Sequence, residues 1–326
     1  MAGFLSGSQS IDEWGAIVVE ARAVFEQLSD ELGLARAMLF VGYVEWARCH
    51  AQAAADAYRA ALPHAERAGA RRLVQAIRGE LASVYSHGPT HVDEARHELE
   101  TIVDQAEGFL LVQASARRAL GRLAAVQGDF DTGRELFRRG RAALAEAGLE
   151  MEYAATCQGP GFVERVAGNL EAEERELRAG LGPLEELGER SFWSTTAMQL
   201  ADCLSHQGRD EEAGELLPLV RERSPEGDLV NFAGADAIEA QLKARRGEHE
   251  DAERLALQAV QASETTDFWN LRGANLKALG DVYSAAGRPD EARAAYGRAL
   301  AVYEEKGATV PGGRVRDLLT KLEAPR

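Results

Sequence analysis

The sequence predicts an all-α protein, a right-handed α-solenoid of about seven helix pairs with one further helix at each end. Composition is the first observation: hydrophobic residues make up 45% of the chain and aromatic residues only 6%, while helix-forming Ala, Glu, Leu and Arg dominate. The second is the near absence of the β-branched and aromatic runs that mark strands. The third is a set of glycines that recurs about every 40 residues, a period typical of helical repeats.

The recurring glycines are expected to end the first helix of each pair. They are Gly88, Gly128, Gly168, Gly208, Gly247 and Gly287, and consecutive members are 39 or 40 residues apart. The residue at this position enters the left-handed region of backbone space, which glycine occupies at the least steric cost. Cys49 continues the series one period earlier, and we expect a slightly altered turn there.

These positions divide the chain into repeats, which we expect to stack into one continuous solenoid without domain boundaries. The expected repeats are 31–68, 70–107, 108–148, 149–188, 189–226, 228–265 and 267–306, followed by a closing helix at 311–323. Ile11–Leu28 has the pattern of a second helix whose first helix is missing, which suggests a fragment of a longer protein. Residues 1–10 are rich in Gly and Ser and are expected to form a flexible lead-in.

The last pair, Leu276–Tyr303, carries the clearest motif. Small and large residues occupy the positions at which the helices of a repeat pack, namely Leu276, Leu279, Gly280, Tyr283, Gly287, Ala292, Tyr296 and Ala299. This pattern resembles the signature of the tetratricopeptide repeat (TPR). The resemblance implies stacked helix–turn–helix units whose first helices line a long concave groove.

Longer phrases extend the resemblance over nearly the whole chain. FEQLSDELGLARA and LGDVYSAAGRPDEARAAYGRAL are similar to the helical-repeat regions of bacterial signalling ATPases, which include LuxR/MalT-like transcription regulators and adenylate-cyclase-associated proteins. In that family the repeats sense an effector or a partner protein and relay the signal to an ATPase or output domain. We identify neither a G-x-x-x-x-G-K-[ST] loop nor a DNA-binding helix-turn-helix tail, so the resemblance implies that such parts lie elsewhere.

Charge, cysteine content and hydropathy argue against several functions. The net charge of -16 and the pI near 5.0 oppose direct binding of nucleic acid. Three cysteines, far apart in the sequence, predict neither a disulfide framework nor a metal site, and no cofactor motif is present. The amino terminus lacks a signal peptide and no stretch approaches 18 apolar residues, so we expect a cytoplasmic protein that does not enter a membrane.

The glycine register also predicts which side chains face the groove. In the amino-terminal half these are Arg36, Tyr43, Trp46, Arg118, Arg122, Phe162 and Arg165, joined by Arg78 if the register of the second repeat is right; in the carboxy-terminal half they include Asp202 and Asp281. Arginines among aromatic rings suit a carboxylate, a phosphate or an acidic peptide. The alternative is that these arginines are simply solvated on a helix face.

Two local features invite functional interpretations. Pro160, between two glycines, interrupts the first helix of the fourth repeat and predicts a kink or break, which widens the groove beside Phe162, acts as a hinge or is a tolerated irregularity. His87, His91 and His97 lie close in sequence, but their spacing fits a loop of solvated imidazoles better than a zinc site.

Together these observations predict a non-enzymatic repeat domain that binds a protein or a ligand. The preferred hypothesis is a sensor or scaffold region of a bacterial signalling or transcription-regulatory protein, with a protein or peptide partner in the groove. The alternative is a stand-alone receptor for a short peptide or a small anionic effector. An enzyme is not expected, because no activated nucleophile or acid–base pair stands out.

Overall fold

The computed structural model describes residues 11–323, and every regular element in this range is an α-helix. The expected lead-in at residues 1–10 lies outside the described residues. The helices are α1 (Ile11–Leu28), α2 (Glu31–Ala47), α3 (Ala51–Arg67), α4 (Arg71–His87), α5 (Val92–Gln105), α6 (Leu110–Val126), α7 (Phe130–Glu146), α8 (Glu150–Ala155), α9 (Gln158–Ala167), α10 (Leu170–Glu186), α11 (Ser191–His206), α12 (Asp210–Arg223), α13 (Leu229–Arg245), α14 (His249–Glu264), α15 (Trp269–Ala285), α16 (Pro289–Lys306) and α17 (Thr309–Glu323).

Helices α2 to α16 form antiparallel pairs, and pair four consists of α8 and α9 followed by α10. The first helices of neighbouring pairs pack on one another, as α4 does on α6, α6 on α9, α11 on α13 and α13 on α15. The first helices therefore form an inner layer and the second helices an outer one. This arrangement confirms the predicted fold class of an all-α, TPR-like helical solenoid.

Small residues let the two helices of a pair approach closely. A Cβ atom on Gly42 of α2 would lie 2.0 Å from Cε1 of Tyr58 on α3, and one on Gly280 of α15 would lie 2.4 Å from Cε1 of Tyr296 on α16. Such distances are far inside van der Waals contact, so only glycine fits at these two positions. The alternation of small and large residues in the sequence is thus the packing code of the pair.

The turn inside each pair corrects two expectations. Cys49 adopts the left-handed conformation itself, with φ of 60°, instead of an altered turn. Gly88 is the exception, because its φ of −79° and ψ of 178° are extended, whereas Gly128 and the four later glycines of the series have positive φ. A non-glycine residue in the left-handed region costs about 1–2 kcal/mol, so the contacts around Cys49 must offset that strain.

The predicted irregularity in pair four is present. Helix α8 ends at Ala155 and α9 begins at Gln158, which places Pro160 in the first turn of α9, where a missing N–H is tolerated. The carbonyl of Thr156 accepts instead from the Gly159 N–H at 3.1 Å. A Cβ on Gly159 would lie 2.0 Å from Cε1 of Phe137, so the glycine beside the proline is fixed by packing against α7.

The two ends of the solenoid meet, which the sequence pattern did not predict. The carboxylate of Asp267, between α14 and α15, accepts hydrogen bonds from the backbone N–H groups of Ala51 at 2.5 Å and Gln52 at 2.8 Å, and the Asp267 N–H donates to the Cys49 carbonyl at 3.2 Å. A residue of the last pairs thus caps the amino terminus of α3 in pair one. The expected long concave groove is the interior of this closed turn.

Cationic side chains of the carboxy-terminal segment complete this closure. Lys306 is fully buried, and its Nζ donates to the carbonyls of Tyr85 at 2.8 Å, Gly88 at 2.9 Å and Thr90 at 2.7 Å. Arg314 on α17 donates to the Arg165 and Val166 carbonyls. Both cations lie at carboxy-terminal helix ends, those of α4 and α9, where the helix dipole favours positive charge.

Candidate functional site

The candidate site is the inner wall, meaning the side chains of the first helices that face the interior of the closed turn. Among its charged residues, Arg165 of α9 forms ion pairs with Asp202 of α11 and, at 2.6 Å, with Glu173 of α10. The contact with Glu173 joins the two layers of pair four, and the contact with Asp202 joins pair four to pair five. Arg165 and Asp202, expected as ligand-binding residues, are therefore already partnered within the protein.

Asp281 of α15 is partnered in the same way. It accepts hydrogen bonds from Lys277 at 2.8 Å, from Gln241 of α13 at 2.8 Å and from the hydroxyl of Tyr296 at 2.7 Å. With three donors around it, this carboxylate connects pairs six and seven. Its role in the structure is that of an inter-pair contact.

Tyr43 of α2 is held between two neighbours. Its hydroxyl donates to Glu80 of α4 at 3.2 Å, and its ring meets the Tyr58 ring edge-on, with centroids 6.1 Å apart. Burial raises the pKa of Glu80 above its usual range. Glu80 was not identified from the sequence, and it extends the inner wall from pair one to pair two.

Trp46 lies where the two ends of the solenoid meet. Its ring is 4.8 Å from that of Phe268, which precedes α15, and 5.4 Å from that of His87 at the end of α4. Burial lowers the pKa of His87 to about 3, so its imidazole is neutral at physiological pH. His87 is thus packed against aromatic rings, which corrects the expectation of a solvated imidazole, and Trp46 belongs to the closure.

Arg122 of α6 differs from the other charged residues of the inner wall. Its guanidinium lies 4.0 Å from the ring centroid of Phe162 on α9, a cation–π stack between pairs three and four. Within residues 11–323 no carboxylate forms an ion pair with Arg122 and no acceptor takes a hydrogen bond from it. Burial lowers the pKa of Arg122 to about 10.

Lys306 places a second positive charge close to Arg122. Burial, with the charge of Arg122 adding to it, lowers the pKa of Lys306 to about 7, while its three carbonyl acceptors match the three protons of an ammonium group. The charges of Arg122 and Lys306 also contribute to the lowered pKa of His87. The region between α4, α6 and α16 is therefore cationic. Among the described residues, no acid contributes to the shifted pKa values of His87, Arg122 and Lys306.

Three other predicted arginines have surroundings that differ from those of Arg122. Arg118 packs its Cγ against Gly140 of α7, and its Nε is buried without an acceptor, which accords with the lowering of its pKa by burial. Arg78 lines a cleft of about 400 Å³ beside the turn between α3 and α4, where its Nη1 is 3.5 Å from the Gln105 carbonyl. Arg36 is exposed on α2.

Two further features of the described chain bear on function. Residues 11–323 contain no group of three or more His, Cys, Asp or Glu side chains placed to hold a metal ion. In the same range, no helix has the length and apolar character needed to cross a bilayer.

Comparisons with known proteins agree with the fold. The family model "Tetratricopeptide repeat" matches residues 238–305, that is, most of pairs six and seven. No curated protein matches the sequence at a significant level. The sequence-based recognition of TPR-like repeats is confirmed by the family model and by solved structures with the same fold.

Three of those solved structures are informative. The Rap conjugation gene regulator of the plasmid pLS20, in complex with the Phr* peptide, has a TM-score of 0.65 at 16% identity, covering 91% of this chain and 78% of that one. A Rap protein complexed with Competence and Sporulation Factor has a TM-score of 0.54 at 11% identity, covering 90% and 75%. A Signal Transduction ATPase with Numerous Domains from Pyrococcus horikoshii, with a tetratricopeptide repeat sensor, has a TM-score of 0.52 at 11% identity, covering 97% of this chain and 53% of that one. At these identities the similarity is one of fold.

Proposed function

We propose that this chain is a non-enzymatic repeat domain that binds a peptide or an extended segment of a partner protein against its inner wall. The observation that carries the proposal is the inner wall itself, a concave surface of polar and aromatic side chains enclosed by one closed turn of helix pairs. Two solved structures of the same fold are complexes, one with the Phr* peptide and one with Competence and Sporulation Factor. The Phr* ligand, which is a peptide, supports a peptide as the partner here.

The inner wall presents polar and aromatic side chains that are not fully buried. Tyr43, Arg122, Asp202 and Asp281 are only partly buried, although they lie on helices whose other faces are tightly packed. Partly buried aromatic and charged side chains, positioned by a rigid scaffold, are typical of surfaces that bind peptides. The same wall has no activated nucleophile beside a base within the described residues, which supports a role in binding over catalysis.

The experiment selects linear peptides from a displayed random library on the purified full chain and measures their affinity for two variants. Ala274→Trp fills the inner wall, because Ala274 is exposed on α15 on the same face as Lys277 and Asp281. Ala294→Trp is the matched control, since Ala294 is exposed on α16 in the outer layer of the same pair. We expect at least a tenfold loss of affinity with the first variant and none with the second. Equal affinities would place the binding surface elsewhere.

For the wider role, we propose a sensor or scaffold region of a bacterial signalling or transcription-regulatory protein in the cytoplasm. Helix α1 supports it, because its Val19 and Leu28 side chains are 67% and 69% exposed and offer an apolar surface to another domain or protein. Pull-down with a Val19→Glu/Leu28→Glu variant tests this role, with Val24→Thr as a milder change of the same helix. The role is rejected if the double variant keeps every protein partner of the wild type.

The alternative is a stand-alone receptor for a short peptide or a small anionic effector. The unpaired guanidinium of Arg122 is the observation that favours it. Calorimetry with the selected peptides and the isolated full chain separates the two roles. A stand-alone receptor binds them with an affinity that added partner proteins do not change.

A further inference from the structure

The acids of the inner wall are partnered within the protein, whereas Arg122 has no acidic partner among the described residues. The acids are neutralised within the protein, Asp202 by Arg165 and Asp281 by Lys277. Glu80 accepts from the Tyr43 hydroxyl, and burial favours its protonated form. Arg122 has no such partner, although the chain as a whole carries a net charge of -16. An excess of acid in the sequence thus coexists with a cation on the wall that has no acidic partner, and Arg118, one turn earlier on α6, also has its Nε buried without an acceptor.

The surroundings of Arg122 do not supply a substitute for an anion. Lys306 is also positive when protonated, and it is held by three carbonyls of its own. His87 is neutral, and its Nδ1 is 3.0 Å from the Ser83 carbonyl. A partly enclosed guanidinium without a counter-charge is unfavourable, so a site of this kind is stabilised when an anion enters it.

The stack on Phe162 also determines how an anion can approach. The Phe162 ring lies on one side of the Arg122 guanidinium, with its centroid 4.0 Å from Cζ, so an anion meets the planar fork of N–H donors from the remaining sides. A planar carboxylate matches this fork with two parallel hydrogen bonds. A phosphate dianion is disfavoured, because the net charge of the chain repels a dianion more strongly than a monoanion.

We propose that Arg122, stacked on Phe162, binds a carboxylate of the partner peptide, either an acidic side chain or the terminal carboxylate. This inference rests on the proposed function, since it assumes that the peptide lies along the inner wall. Arg122 then acts as the residue that sets specificity for acidic peptides, and Phe162 positions its guanidinium. Pairs three and four are the part of the turn that fixes the register of the peptide.

The first test uses acetate and inorganic phosphate as probes, with NMR of the arginine side-chain Nε–H resonances of the full chain. We expect acetate to shift the Arg122 resonance saturably and to leave Arg117 unchanged, because Arg117 is on the same helix and hydrogen-bonded to Gln113. A response to phosphate alone would overturn the assignment to a carboxylate. The absence of a saturable response, or an equal one at Arg117, would overturn the site.

The second test uses the acidic peptides selected for the proposed function. Arg122→Gln should weaken them at least tenfold, Arg122→Lys by less, and Arg117→Gln not at all, with circular dichroism confirming that each variant is folded. Replacing a peptide Glu by Gln, or amidating its carboxy terminus, identifies which carboxylate is bound. Peptides that lose affinity with Ala274→Trp but not with Arg122→Gln would overturn this inference while leaving the proposed function intact.

Discussion

The hydrogen bonds that Asp267 makes to α3 provide the sharpest prediction about stability. Its carboxylate accepts from the N–H groups of Ala51 and Gln52, and the residue at the N-cap of α3, His50, forms no capping hydrogen bond with its side chain. Asp267→Ala therefore removes the only side-chain cap that the described residues give to α3. Loss of a cap costs about 0.5–2 kcal/mol and hydrogen bonds to a charged group are worth about 1.5–3 kcal/mol, so we expect the free energy of unfolding to fall by about 2–3 kcal/mol.

The assay is urea unfolding followed by circular dichroism, together with small-angle X-ray scattering. Asp129→Ala is the matched control, because Asp129 caps its own helix through the Thr132 N–H and does not connect the two ends of the solenoid. It should cost about 1 kcal/mol and leave the radius of gyration unchanged. Asp267→Ala should cost more and increase the radius of gyration. Equal costs with unchanged scattering would refute the conclusion that Asp267 holds the turn closed.

Three further predictions concern Lys306, Gly159 and Cys49. Lys306→Met leaves three buried carbonyls without a donor and should lower the free energy of unfolding by about 3 kcal/mol in urea titrations. The pKa of Lys306 is lowered to about 7 in the folded protein. Above pH 7 the folded protein therefore releases the ammonium proton of Lys306, whereas the unfolded chain keeps it up to about pH 10. The stability of the wild type relative to this variant should therefore rise between about pH 7 and pH 10, and a flat difference would contradict the lowered pKa. Gly159→Ala should destabilise the protein by about 2 kcal/mol, because the added Cβ overlaps Phe137. Gly182→Ala is the control and should stabilise the protein by about 0.5–1 kcal/mol, because the space around Gly182 is open. Equal shifts of the melting temperature would argue against close packing at Gly159. Cys49→Val, a β-branched residue at a φ of 60°, should be more destabilising than Cys203→Val in a regular helix, as judged by melting temperature, and the reverse order would contradict the strained turn.

Local rules account for what the sequence could predict. The pairs follow from glycines such as Gly287, which must end a helix, and from contacts such as Gly280 against Tyr296 within one pair. The interruption at Pro160 follows from a missing N–H. These features depend on neighbours within about 20 residues, a range over which helix geometry fixes the relative positions of side chains.

The closure could not be predicted, because it depends on small rotations accumulated over all seven pairs. Asp267 and Ala51 are 216 residues apart, and neither carries a local signal of the contact. Lys306 likewise has no motif around it, although it is the cation that joins pair seven to pair two. The turns at Cys49 and Gly88 were mispredicted for a related reason, since contacts outside the turn determine their backbone conformations.

The candidate site was predicted only in part. The register correctly placed Arg122 and Phe162 on neighbouring first helices, where they stack. It could not show that Arg165 and Asp202 neutralise each other, because pairing depends on rotamers as well as on the helix face. The register places Trp46 on the groove side of α2, but it could not show that the closure brings Phe268 against the Trp46 ring.

The most direct test of carboxylate binding by Arg122 on the inner wall is a double-mutant cycle between Arg122 and the acidic residue of a selected peptide. Affinities are measured for wild type and Arg122→Gln, each with the acidic peptide and with its amide analogue. A partly buried, charge-assisted pair predicts a coupling free energy of about 2 kcal/mol. A coupling of less than about 0.5 kcal/mol, within the usual error for independent sites, would contradict the account.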